Sequence, residues 1–437
     1  MPVITERRVH HRPRPHLPAH TPGATVQAVG NGVITGAADD DPSAIGTYAS
    51  AGAAFGPGIL WSAPAVLPLA AVIMYLAAKV GHVAGVGLAT VIRLHYPRWL
   101  LVTVVAGMVV GNIVEAAADL GGIAASLHLL TPMAELFWIV PVAVAILAVQ
   151  VMGSYIWIRN VFRWLALALL AYIGSALLAH PSALEVIKST LLPHIHWSRG
   201  YVAALVAMIG SSASPYLYGW QASQQVEEDI SMGRRRLSDR VSTTSALTLK
   251  ALAWDVAVGM FFSCVVMYFI LLSTAITIYP VRFGSIHTAA QAAQALAPLA
   301  GHSAGILFAA GVIAVGILAI PVMTTGAAYL VCDAMRWKSG LSARPRQAPQ
   351  FYWIIAAVMA VAAALNFVDT NPIHALIAAG LLQGFLEPGL LLVLLLVTCN
   401  PKIMGRWTNS RLVTALGSLA LLAVTAAVVT LLVMLRR

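Results

Sequence analysis

The sequence predicts an all-α, polytopic membrane protein of about eleven spanning helices, built as two related halves with one broken helix in each. Three observations predict it. Hydrophobic residues make up 59% of the chain and charged residues only 10%, whereas a soluble domain carries about a quarter charged residues. The apolar stretches reach the ~20 residues that a spanning helix needs, and none shows the alternation of a barrel strand. Two of them, the first and the sixth, carry a proline among small residues, so equivalent interruptions lie five helices apart.

Residues 1–28 begin "MPVITERRVHHRPRPHLPAHT", basic and rich in Pro and His, without the apolar core of a signal peptide. A disordered cytoplasmic tail is expected there, with His10, His11, His16 and His20 solvated rather than gathering metal. Spans follow at about 29–55, 58–80, 98–128, 134–156 and 161–180, a first repeat over residues 29–180. A second, inverted repeat covers 199–398, with spans at about 199–226, 241–277, 289–331, 351–367 and 372–398. An extra helix at 409–434 completes the chain. Basic residues gather in alternate loops: Arg93 and Arg98, Arg159 and Arg163, "GRRRLSDR", "RWKSGLSARPR" and "NPKIMGR". Together with the basic tail they put the N-terminus in the cytoplasm of a cell (inner) membrane. The net charge of +10 thus marks topology and contact with anionic lipid, and no nucleic-acid partner is expected. Cys264, Cys332 and Cys399 stand apart, without metal-ligand spacing.

The broken stretches are "NGVITGAADDDPSAIGTYASAG", around Pro42, and "AALVAMIGSSASPYLYGWQASQQVEED", around Pro215. Proline removes a backbone donor, and in lipid the freed carbonyl must face protein, water or a solute. Paired breaks in two halves point to a transporter with its site at the midplane. Carbonyl ends carry partial negative charge and the first break adds Asp39, Asp40 and Asp41, so a cation site is expected. Asp41 alone also suits a cap on the second half-helix. Ser211 and Ser214 offer oxygens to a cation or to the carbonyls freed by Pro215. Glu115 and Asp119, four residues apart, share a helical face that should draw a cation or a proton. Asp255 with Lys250 suggests an intramembrane pair, and Glu227 to Asp229, leading into "GRRR", a self-paired helix end. Tyr48, Tyr216, Tyr218 and Trp220 suit gating and packing alike; Thr324, Thr325 and Gln383 are polar at depth. No nucleophile–base set or cofactor motif is present, so neither an enzyme nor a bound cofactor is expected.

"DDDPSAIGTYASAGAAFGPGILW", followed by "LAAKVGHVAGVGLATVIR", resembles the first two helices of the Nramp divalent-metal transporters. "SPYLYGWQAS" resembles their sixth-helix "MPH" segment, "EAAADLGG" their third helix and "NPKIMG" their tenth-to-eleventh loop. The resemblance spans residues from about 29 to about 410 and implies a LeuT-type fold of two inverted five-helix repeats plus one helix. It also implies that Asp41 and Asp119 match family aspartates. The family asparagine falls on Ala44, the methionine on Ser214, its two histidines on Tyr216 and Gln221, and a glutamate on Gly122. The tenth-helix glutamine falls on Gly380, not on Gln383.

Thioether ligands suit softer metals and oxygen sites suit hard ones, and Mg²⁺ keeps several waters. These losses resemble the Nramp-related magnesium transporters and remove the family's proton route. The expectation is alternating-access transport of Mg²⁺ or Mn²⁺, not proton-coupled, for which a monomer in the bilayer suffices. Asp41, Ala44, Ser211 (through its carbonyl), Ser214, Asp119 and Glu115 form the expected binding set. Asp39, Asp40, Ser43, Tyr216, Gln221, Asp255 and Gln383 are pathway candidates. A transporter of small organic solutes, a proton-coupled transition-metal transporter and a transport-inactive sensor are the alternatives.

Overall fold

The computed structural model describes residues 36, 38–152, 171–234, 236–281, 286, 288–341, 343, 345–368 and 371–436. The tail at 1–28 and the first half of the expected fifth span, 161–170, lie outside the described residues. All regular structure among those residues is helical: α1 (Pro42–Phe55), α2 (Ser62–Ala84), α3 (Leu88–His95), α4 (Arg98–Leu130), α5 (Glu135–Met152), α6 (Arg199–Ser212), α7 (Tyr216–Ser231), α8 (Ala246–Thr277), α9 (Ala304–Met335), α10 (Pro349–Leu365), α11 (Pro372–Thr398) and α12 (Arg411–Arg436), with short turns between. Seven segments among the described residues are long and apolar enough to cross a membrane, and α5 and α10 are shorter apolar helices. The expected span at 289–331 falls within the apolar segment Ala289–Met335, which is built from short helical pieces over 289–303 followed by α9.

Helix ends follow local chemistry. Pro42 occupies the first turn of α1, where its missing N–H costs nothing. Gly85 closes α2 at φ 66°, a left-handed position that glycine takes without strain. Ser245 and Thr248 form a reciprocal capping box at the start of α8, and Asn371 caps α11 ahead of Pro372.

α1 sits at the centre. Its residues 42–53 are all buried, packed against α4, α6, α8 and α11. α12 lies at the periphery, where Leu412, Leu419, Leu422 and Val433 are exposed. Those apolar side chains face outward because lipid is their solvent.

Close backbone approach positions the two breaks. A Cβ on Gly36 would strike the Gly259 carbonyl, so the start of the first broken helix lies directly on α8. A Cβ on Gly210 would strike the Gly384 amide and the Gly380 carbonyl, which brings α6 onto α11 just before the second break. Gly210→Val should destabilise the protein by about 1–3 kcal/mol through overpacking. Gly389→Ala, whose Cβ meets nothing within 4 Å, should be neutral or stabilising. Thermal unfolding in detergent compares the two, and an unchanged Gly210→Val midpoint would contradict the close approach.

Candidate functional site

At the first break, residues 36, 38 and 39 are helical, Asp40 bends the chain, and Asp41 caps α1 with extended backbone, φ −67° and ψ 173°. Pro42 leaves the Ala38 carbonyl without its helical donor. The Tyr216 hydroxyl supplies one, donating to Ala38 O at 2.8 Å and reaching Asp41 Oδ2 at 3.2 Å. Tyr216 opens α7, so the helix after the second break completes the first. At the second break Pro215 has no N–H for the Ser211 carbonyl, and the Ser214 hydroxyl turns back to Gly210 O at 3.0 Å.

The acids on α1 and α4 meet at Ser43. Asp41 Oδ1 accepts from Ala44 N at 2.7 Å and from Ser43 Oγ at 2.9 Å. Ser43 N donates to Asp119 Oδ1 at 3.0 Å, and Ser43 Oγ also contacts Glu115 Oε1. Glu115 and Asp119 do share a face, as their spacing predicts. Asp41, Ser43, Glu115 and Asp119 are fully buried, and Glu115 Oε2 and Asp119 Oδ2 have no hydrogen-bond partner. A hydroxyl carries one hydrogen, so it cannot satisfy two ionised carboxylates together. A proton or a cation among these oxygens resolves the conflict.

Away from Ser43, Asp39 Oδ2 and Asp40 Oδ1 accept from Ser263 Oγ on α8, at 2.9 and 3.2 Å. The Ser214 amide also faces Asp39. Ser211 Oγ is buried without a partner. A Cβ on Gly380 would lie 2.5 Å from Ser211 Oγ and 3.1 Å from Thr47 Oγ1, so hydroxyls fill the place where the family glutamine was expected. A Cβ on Gly122 would lie 3.3 Å from Pro42 Cβ, which leaves no room for a longer side chain in this arrangement.

Gln383 faces Glu115 from α11, its side-chain amide turned to that carboxylate. Gln221 is buried on α7. Asp255 is half-buried and Lys250 exposed; Asp255 lies about two turns from Ser263 along α8, outside both acid groups. Asp229 pairs with Arg234 at 2.6 Å, the expected self-paired helix end. Thr324 bonds Gln150 at 3.0 Å, and Thr325 bonds its own helix.

Among the described residues no three His, Cys, Asp or Glu side chains are arranged to hold a metal together. The expected direct ligand set is therefore not assembled in this closed arrangement, because the Ser43 hydroxyl and amide stand between its carboxylates. Beyond the break, a cavity of about 10 Å³ lined by Pro42, Gly46, Gly122, Ser126, Phe308 and Ile373 has room for about one water.

Sequence reasoning missed Ser263, Thr47 and Glu387. Glu387 had a signal, a lone acid inside an apolar helix. Ser263 and Thr47 had none, since small hydroxyls are common in such helices.

The family model described as natural resistance-associated macrophage protein-like matches residues 32–434. The chain belongs to the Nramp family. Its Nramp relatives are transporters, which places the chain with transporters and not with enzymes. It is 26% identical over 388 residues to the divalent metal cation transporter MntH of Klebsiella pneumoniae subsp. pneumoniae, covering 86% of each chain. A solved manganese transporter of Eremococcus coleocola superposes with a TM-score of 0.71 at 18% identity, covering 94% of this chain and 87% of that one. Mhp1, a nucleobase-cation-symport-1 family transporter in a closed conformation, superposes with a TM-score of 0.58 at 14% identity, covering 92% of each. The Nramp chain thus has the LeuT-type fold that the resemblance implied.

Tyr216→Phe removes the donor to the buried Ala38 carbonyl and should lower stability by about 1–3 kcal/mol. Thermal unfolding of the detergent-purified protein measures it. No loss would mean that water, rather than Tyr216, satisfies this carbonyl.

Proposed function

We propose that this chain moves a divalent, oxygen-seeking cation, Mg²⁺ first and Mn²⁺ next, across the inner membrane by alternating access. One observation carries this: Asp41, Glu115 and Asp119 converge on Ser43, fully buried, with oxygen as the only side-chain donor atom. The MntH relatives carry divalent metal cations in their name and the Eremococcus coleocola structure is of a manganese transporter, which supports a dication as cargo. Ala44 and Ser214, in place of the family's asparagine and methionine, favour a hard ion that keeps part of its water. Entry into the cytoplasm, with the N-terminus on that side, draws on ~2.3 kcal/mol per charge per 100 mV, twice that for a dication. No coupled ion is then required.

The single hydrogen on Ser43 favours a second reading, in which Glu115 carries a proton with the cation. Uptake into proteoliposomes under an inside-negative potential, with a lumenal pH dye, separates the two. Mg²⁺ and Mn²⁺ should enter without acidification. Asp41→Ala should cut uptake at least about tenfold, since a hydrogen bond to a charged group is worth ~1.5–3 kcal/mol and 1.4 kcal/mol is tenfold. Acidification would establish the coupled reading, and absence of cation entry would overturn both.

In the same vesicles Cd²⁺ should compete less effectively than Mn²⁺, because no thioether stands at position 214. Stronger competition by Cd²⁺ would show a softer site.

A further inference from the structure

A second group of buried oxygens lies on the N-terminal side of the first break, hydrogen-bonded to α8 and facing Glu387 on α11. The contact of Gly36 with the Gly259 carbonyl lays this segment on α8, and Ser263, one turn further, bonds both Asp39 and Asp40. Its one hydrogen leaves the pair underbonded, and Asp39 Oδ1 and Asp40 Oδ2 have no partner at all.

An independent side chain points to the same place. Glu387 enters from α11, fully buried, with no basic side chain hydrogen-bonded to its carboxylate among the described residues. The charge facing it is Asp39, and the buried Tyr218 hydroxyl of α7 lies within hydrogen-bonding reach of its carboxylate. Among the described residues no basic side chain is hydrogen-bonded to Asp39, Asp40 or Glu387, and the ion pair Arg234–Asp229 lies elsewhere. Carboxylates in a low-dielectric interior need a neutralising partner, and α8 turns the Ser263 hydroxyl and the buried Cys264 thiol, neither of them a cation, towards Asp39 and Asp40. Three acids do not close to direct ligand distance. A cation that keeps some of its water and needs only one or two carboxylates fits such a spacing.

We infer that Asp39, Asp40, Glu387, Ser263 and Tyr218 form a second cation site, taking a partly hydrated divalent cation, separate from the Asp41–Glu115–Asp119 group. The break in α1 divides the two sites, so an ion leaving one side of Asp41 meets the other set next. The choice of a dication rests on the cargo proposed above; the site itself rests on the unpartnered oxygens.

Ion counting tests it. Mn²⁺ alone, titrated into the full-length protein in detergent and followed by calorimetry and by electron paramagnetic resonance of free Mn²⁺, should give two bound ions per chain. Asp41→Asn should keep one, and Glu387→Gln should keep the other. Tyr218→Phe, a smaller change, should retain two ions and weaken one of them several-fold. One ion in the wild type, lost in Asp41→Asn and untouched in Glu387→Gln, would overturn the second site and leave the first. Binding kept in Asp41→Asn but lost in Glu387→Gln would support the second site and overturn the cargo role of Asp41. Loss of both ions in Glu387→Gln, with Tyr218→Phe unchanged, would overturn the division into two sites.

Discussion

The structure depends on a backbone problem created at two prolines. Pro42 and Pro215 each strip a carbonyl of its helical donor deep inside an apolar molecule. In lipid such a group must find a partner within the protein or a solute. The answer at the first break is the Tyr216 hydroxyl, held by the helix that follows the second break. The two breaks are therefore fixed against each other, and α1 has to run through the middle of the bundle.

That arrangement dictates where the acids go. Each turn of chain around Pro42 points its carboxylates at a different neighbour: Asp41 towards α4 through Ser43, Asp39 and Asp40 towards Ser263 on α8. In both places one serine hydroxyl stands between two carboxylates. The arrangement is underbonded by construction, and neutral packing would not repeat it. Bundles of helices tolerate buried acids where something positive visits them. Backbone-to-backbone contacts at Gly36 and Gly210 hold the surrounding helices close enough for such short side chains to meet.

The state described is closed. Both acid groups are fully buried, and the cavity outward of the break has room for about one water. Alternating access requires that the halves meeting at the break separate on one side at a time. The Tyr216 bond to Ala38 ties α7 to the first broken helix, and Ser263 ties that helix to α8. These bonds cross between elements that, under the alternating access proposed above, part on one face.

The sequence by itself determined the class of molecule, most helix ends, both breaks and the shared face of Glu115 and Asp119. Each of these is set by local chemistry: hydropathy over ~20 residues, proline, capping and helical period. It also marked Asp41 as both a cap and a cation candidate, and the structure realises the cap. Only the tertiary structure brought Ser263, Glu387 and Tyr218 to Asp39 and Asp40, put Ser43 between three carboxylates, and filled the place at Gly380 with Ser211 and Thr47. Except for Ser43 with Asp41, those meetings join residues more than seventy positions apart. No local periodicity encodes them, because they arise where helix faces cross and where a glycine allows the crossing to be close.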